Sequence, residues 1–365
     1  MVPINRLKEI DFLRGLAVIL VLFRHFPFSF YTITMGWIGV DLFFVLSGFL
    51  VSGLLFSEYQ KFGNIRIRLF LIRRGFKIYP LFYIFILSTV VGDLISGTYL
   101  SETKLLGELF FVQNYIGRLW NHTWSLAVEE HFYFLLSFLI YFLVQWKLLE
   151  RKMIFYSTSF IILFGCLITR FIVNYYHPER ENFYETHLRF DSLFAGVIIS
   201  YLYHFDKFIL LKFANKFKKL FIPLILLLIS FSPFIEPETS FLIRTIGFTF
   251  LYIAFGLLLV LILITENAGK KISRIVTIPL FEAIIKIGYH SYSIYIIHLA
   301  IAMLVKSLED KIELNTQLYF IIYFCGSIIA GILLSNLIEI PFLNLRDKYF
   351  PKRVADLVPL NTINN

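Results

Sequence analysis

Long apolar runs alternate along this chain with short polar segments that are mostly basic. Runs of about 20 residues, each enough to cross a ~30 Å hydrocarbon layer as a helix, lie at 10–28, 36–57, 77–97, 124–146, 153–176, 187–204, 218–235, 241–265, 281–306 and 316–339. Backbone polar groups in lipid have to be satisfied inside each segment. The pattern therefore predicts an all-α polytopic membrane helix bundle of about ten transmembrane helices. The longest outer connection, 98–123, holds an apolar stretch at 105–112 that is too short to span and is expected to lie at the outer surface or dip into it. The membrane unit is expected over 1–345, followed by a short cytoplasmic tail at 346–365, with no further soluble domain.

Composition sharpens this picture. Of 365 residues 58% are hydrophobic and 16% charged, a balance that excludes a soluble domain of this size. The formal charge of +9 would suit nucleic acid if it were spread over one surface. Most of the 34 Lys and Arg fall instead in alternate connections, counted from a cytoplasmic N-terminus. That bias places both termini in the cytoplasm of a multi-pass protein of the plasma or bacterial inner membrane, and no nucleic-acid partner is expected. The first run carries Asp11, Arg14 and Arg24 without a small-residue cleavage site after it, so it reads as a retained span and not a signal peptide. Cys166 and Cys325 sit in apolar runs as small hydrophobes, and no metal site is expected.

Candidate chemistry begins in that first run. Arg14 and His25 are eleven residues apart, which returns both side chains to one helix face, roughly 16 Å apart along the axis. A charge inside an apolar span faces a polar cavity or a partner, or snorkels to lipid phosphate. Counting depth from each span's entry brings His25, Asp41 and the pair Glu129 and Glu130 to one level, ~21 to 22 Å above the inner edge. Adjacent helical residues point ~100° apart, so one of the two glutamates is expected to face the site. A carboxylate bonded to the imidazole would orient it and raise its basicity, as a general base acting on a sugar hydroxyl requires. On the cytoplasmic side Arg66, Arg68, Arg73, Arg74 and Lys77 crowd a helix start, an arrangement suited to a polyphosphate ligand, although such a run on its own is more often a lipid-facing anchor. Glu339 is placed to pair with the Arg73 cluster or to stay a solvated cap. Arg189 and Asp191 lie inside the sixth run; Tyr289, Ser291, Tyr292, Tyr295 and His298 lie in the ninth.

These residues together resemble the acyltransferase-3 family of integral-membrane acyltransferases, over nearly the whole chain. The resemblance rests on the spacing of Arg14 and His25, on GWIGVDLFFVLSGFL, on RRGFK and on WSLAVEEHFY, which opens at Trp124. The family's usual Arg-x-x-Arg stands here as Arg74-Gly75-Phe76-Lys77, and lysine keeps the charge but not the bidentate geometry. The resemblance implies O-acylation of an extracytoplasmic glycan hydroxyl, a cell-surface polysaccharide or lipid-linked glycan. The donor implied is acetyl-CoA or a related acyl-CoA from the cytoplasm. On this reading Arg14, Arg73, Arg74 and Lys77 hold the CoA phosphates, and His25 meets the thioester with Asp41 and a glutamate beside it. Ser47 or Tyr133 would serve as a transient acyl carrier if the route is covalent. Ser291, Tyr292, His298 and Trp124 are further substrate or relay candidates. Many relatives carry an added esterase-like domain, so this chain is expected to finish the transfer alone or to hand the acyl group to a partner protein. The alternative from another class is a solute or ion transporter using the intramembrane charges.

Overall fold

The computed structural model of the protein describes residues 7–26, 28–179, 183–309 and 315–353. Most of the expected tail, and residues 180–182 of an outer connection, lie outside the described residues. Helices α1 (Lys8–His25), α2 (Phe30–Gly36) and α3 (Ile38–Phe62) form the start of the bundle, followed by α4 (Ile67–Ser96). The connection at 98–123 folds into two short helices, α5 (Glu102–Leu109) and α6 (Gln113–Ile116), neither long enough to span. Then come α7 (Trp124–Gln145), α8 (Lys152–Tyr176), α9 (Thr186–Phe205) and α10 (Lys207–Ile229). The rest is α11 (Phe248–Ile264), α12 (Ala268–Val276), α13 (Ile278–Tyr289), α14 (Ser291–Glu309), α15 (Thr316–Leu334) and α16 (Ile340–Tyr349).

Among the described residues seven helices are long and apolar enough to cross a membrane, or eight if the bent pair α9 and α10 counts as one more. Two features separate this from a count of ten. Lys8, Glu9, Asp11, Arg14 and Arg24 take α1 out of the apolar set, although it is packed inside the bundle against α3, α13 and α14. The sixth and seventh runs join at Asp206 in a bend of 112°. The ninth run also breaks, at His290, into α13 and α14.

Small residues let the central helices approach closely. A Cβ added at Gly48 of α3 would stand 1.8 Å from the Leu193 carbonyl of α9, and one at Gly196 of α9 would stand 2.1 Å from the Val45 carbonyl of α3. Such backbone contact is how helices associate in lipid, where no hydrophobic force drives them together. Charges bind the same elements. Arg170 of α8, fully buried, lies 2.7 Å from Asp191 of α9 and donates to the carbonyls of Leu188 and Thr245 and to Thr249 Oγ1. Thr245 belongs to a π-helical turn, Ile243–Gly247, whose wide winding leaves a carbonyl to be satisfied from outside.

Candidate active site

Two cavities enter the bundle and share part of their walls. One, called inner because it lies toward the side expected to be cytoplasmic, is narrow at about 90 Å³ and is lined by Arg14 of α1, Ser47 of α3, Arg74 and Lys77 of α4, Glu129 of α7 and Ser291 of α14. The outer one, about 620 Å³, is lined by His25, Asp41, Arg118, His122, Trp124 and Arg189, among others. Val40 and Tyr295 line both. Helix α1 thus spans the gap between them, with Arg14 in one cavity and His25 in the other.

The inner cavity is cationic because α4 enters it with two charges three residues apart, which a helix puts on one face. Arg74 lies 3.8 Å from a Glu129 oxygen and stacks on the Tyr133 ring at 3.9 Å. Its buried Nε has no partner among the described residues. Glu129 accepts from Ser47 Oγ at 3.1 Å and from the Tyr133 hydroxyl. Tyr292 donates to the Ile78 carbonyl, and the buried Ser291 Oγ is unbonded. An unbonded guanidinium nitrogen and hydroxyl beside Arg14 and Lys77 fit an anionic donor with a thin polar arm.

Around His25 the neighbours are imidazoles. The His25 and His298 rings are 5.0 Å apart, and His298 and His122 are 4.9 Å apart. His298 Nδ1 donates to the Tyr295 carbonyl and His122 Nε2 to the Ile296 carbonyl. Each buried ring, when neutral, then keeps one unbonded nitrogen as an acceptor, Nε2 of His298 and Nδ1 of His122. Tyr295 donates to the His122 carbonyl and lies 2.6 Å from Ser125 Oγ, so the outer and inner cavities meet at a hydroxyl pair.

The carboxylates expected to bond the His25 ring have other partners. Asp41 Oδ1 lies 2.7 Å from Arg189 and 3.3 Å from Ser192 Oγ, and among the described residues no carboxylate bonds the His25 ring. An arginine buried in α9 needs a counter-ion more than a neutral imidazole does, and it takes the aspartate. Glu129 lies four residues, ~6 Å, beyond Ser125 along α7, and its partners are in the inner cavity. Glu130, ~100° round the helix, faces a separate groove and accepts from Tyr79 at 3.0 Å. Arg73 also turns away: it pairs with Asp347 at 2.7 Å and donates to the Phe350 carbonyl. Glu339 binds Ser293 and Ser335, at 2.7 and 3.1 Å, and not the Arg73 cluster. Trp124 lines the outer cavity; Ser47, Ser291 and Tyr292 line the inner one; His298 stands beside His25. Sequence reasoning missed His122 and Ser125, whose signal was the NHTWS stretch running into WSLAVEEHFY.

A family model described as an acyltransferase domain matches residues 7–336. A putative O-acetyltransferase of Staphylococcus aureus is 30% identical, over 96% of this chain and 61% of its own length. A peptidoglycan O-acetyltransferase of Listeria monocytogenes is 28% identical over 84% of this chain and 51% of its own. A further O-acetyltransferase of Staphylococcus aureus is 28% identical over 89% and 55%. The chain spans about half to three fifths of the length of the curated relatives it matches. No solved structure matches it. With a matched region that runs from the start of α1 past the end of α15, this multi-pass membrane protein belongs to the acyltransferase-3 family, and residues 7–336 are its acyltransferase domain.

Proposed function

We propose that the protein is a membrane O-acetyltransferase that takes an acetyl group from cytoplasmic acyl-CoA and places it on a hydroxyl of an extracytoplasmic glycan. The observation that carries this reading is the pair of cavities, basic within and histidine-lined without, divided at Val40 and Tyr295. The relatives named for O-acetyl transfer, one of them to peptidoglycan, support the reaction and the acceptor class. The match to an acyltransferase domain also displaces the transporter alternative.

Arg14, Arg74 and Lys77 hold the phosphates of the donor, and its thiol arm runs along α1 toward the dividing layer. His25 takes the proton from the acceptor hydroxyl as its oxygen attacks the thioester carbonyl. The new C–O bond forms, the C–S bond breaks, and the departing thiolate takes a proton. The Tyr295 and Ser125 hydroxyls border the reacting carbonyl. Ser47, tied to Glu129, is the residue of the inner cavity best placed to carry acetyl if the route is covalent.

Donor affinity and turnover, measured separately on purified protein in detergent, test the division of labour. Arg14→Ala is expected to weaken acyl-CoA binding at least about tenfold, the loss of one charge-assisted contact. His25→Ala is expected to keep that affinity and lose about 10²–10⁴-fold in kcat. The opposite pattern overturns the assignment.

A further inference from the structure

Three arginines line the outer cavity, and two of them are committed. Arg24 donates to Glu236 and lies 3.4 Å from Glu238. Arg189 is paired with Asp41 and stacked 3.8 Å over the Phe248 ring. Arg118 is different. Its guanidinium lies over Tyr184, 4.1 Å from the ring centroid, and among the described residues it makes no ion pair. Glu108, whose carboxylate feels the Arg118 charge, spends Oε1 on the Leu119 N–H and Thr123 Oγ1.

Two donors in this cavity are also orphaned. Arg118 Nε and Trp37 Nε1 are buried and have no partner among the described residues. Buried donors without acceptors are costly, and both belong to residues of this cavity's wall. The Trp124 and Tyr184 rings meet edge to face, with centroids 5.0 Å apart, and make an apolar corner against which the C–H face of a sugar ring can rest. At about 620 Å³ the space has the size of a small-ligand site.

We propose that Arg118 is the anion-binding residue of an acceptor subsite, and that the acceptor unit is a sugar carrying an anionic group. The proposal rests on the reading of the outer cavity as the acceptor side. The guanidinium, held over the Tyr184 ring, offers its N–H groups to a carboxylate or phosphate, which arginine pairs with two at a time. Trp37 Nε1 supplies a further donor to a sugar oxygen. The anionic group then sets which ring enters, and the Trp124 and Tyr184 corner holds it with a hydroxyl toward His25.

The test measures binding without a donor. Full-length protein in lipid nanodiscs is titrated by saturation-transfer NMR with methyl glucuronoside, glucose 6-phosphate and neutral methyl glucoside. At least one anionic probe is expected to bind tenfold or more tightly than the neutral one, and comparison of the two shows which anion the subsite takes. Arg118→Gln is expected to bring the ratio near one, and Arg118→Lys to keep part of it, with unchanged melting temperatures showing that both fold. Equal binding of all three sugars, no binding, or an R118Q ratio like the parent's overturns the proposal. Acetyl transfer is assayed apart from this: selective binding without transfer to any acceptor counts against the reaction, whereas transfer without anion selectivity counts against the subsite.

Discussion

Glu108 shows how a single side chain holds the rim of the site. It is fully buried on α5, yet it reaches across to the Leu119 N–H and to Thr123 Oγ1, at 2.9 and 2.8 Å. It thereby ties down the segment that carries Arg118 and His122. Burial pushes its carboxyl above the usual carboxylate range, against the pull of those hydrogen bonds and of Arg118. A carboxyl raised in the folded state binds its proton more tightly there than in the unfolded chain. Its contribution is therefore complete below the ordinary carboxylate pKa and declines as pH rises through the raised one. Amide exchange across 117–123 is expected to become less protected over that window, beyond the normal rise of intrinsic exchange. Glu108→Gln keeps an acceptor oxygen without a charge to bury, and should flatten the dependence. A wild-type profile matching the variant's would refute the linkage.

At the scale of elements, the crossing of α3 and α9 positions both the Asp41–Arg189 pair and the wall of the outer cavity. The contact is backbone against backbone at Gly48 and Gly196. Gly48→Ala forces a methyl group toward the Leu193 carbonyl, an overpacking expected to cost about 1–3 kcal/mol. It should lower the melting temperature in detergent, and a melting temperature equal to the parent's would mean that the crossing tolerates more room than its geometry allows. Much at this scale was legible in the sequence. The apolar runs located the long helices because lipid leaves a chain few other ways to satisfy its backbone. The join at Asp206 was not legible, because two apolar runs look alike whether they cross separately or turn on each other. Asp206 is held there by Lys152 at 3.0 Å and Tyr156 at 3.2 Å, partners from α8 that periodicity along one chain does not reveal.

Across the whole molecule, helical spacing placed Arg14 and His25 in different cavities on one helix, and Arg74 with Lys77 in the inner one. Depth counting put Asp41 in the cavity of His25 but could not give its partner, because level says nothing about which neighbour competes for a charge. Asp41 went to Arg189, and the Arg73 side chain went to α16. The three imidazoles gather from α1, the turn before α7 and α14, and no local pattern joins them. The arrangement makes the dividing layer testable. Val40→Trp fills the space both cavities border, so acetyl transfer is expected to fall at least about tenfold, roughly 1.4 kcal/mol in the barrier. Acyl-CoA affinity should hold if the phosphates bind farther in, as proposed. Undiminished transfer in V40W would move the meeting point of the two substrates away from this layer.

That layer has one further effect. A continuous aqueous pore through such a protein would leak ions and discharge the voltage on which the cell depends. On the proposed reading, the Val40 and Tyr295 side chains that both cavities border would have to let a two-carbon fragment pass from one carrier to another while holding back a hydrated cation with its shell of water. The proposed transfer would then let the cell export chemical groups through this bundle while its membrane stays electrically tight.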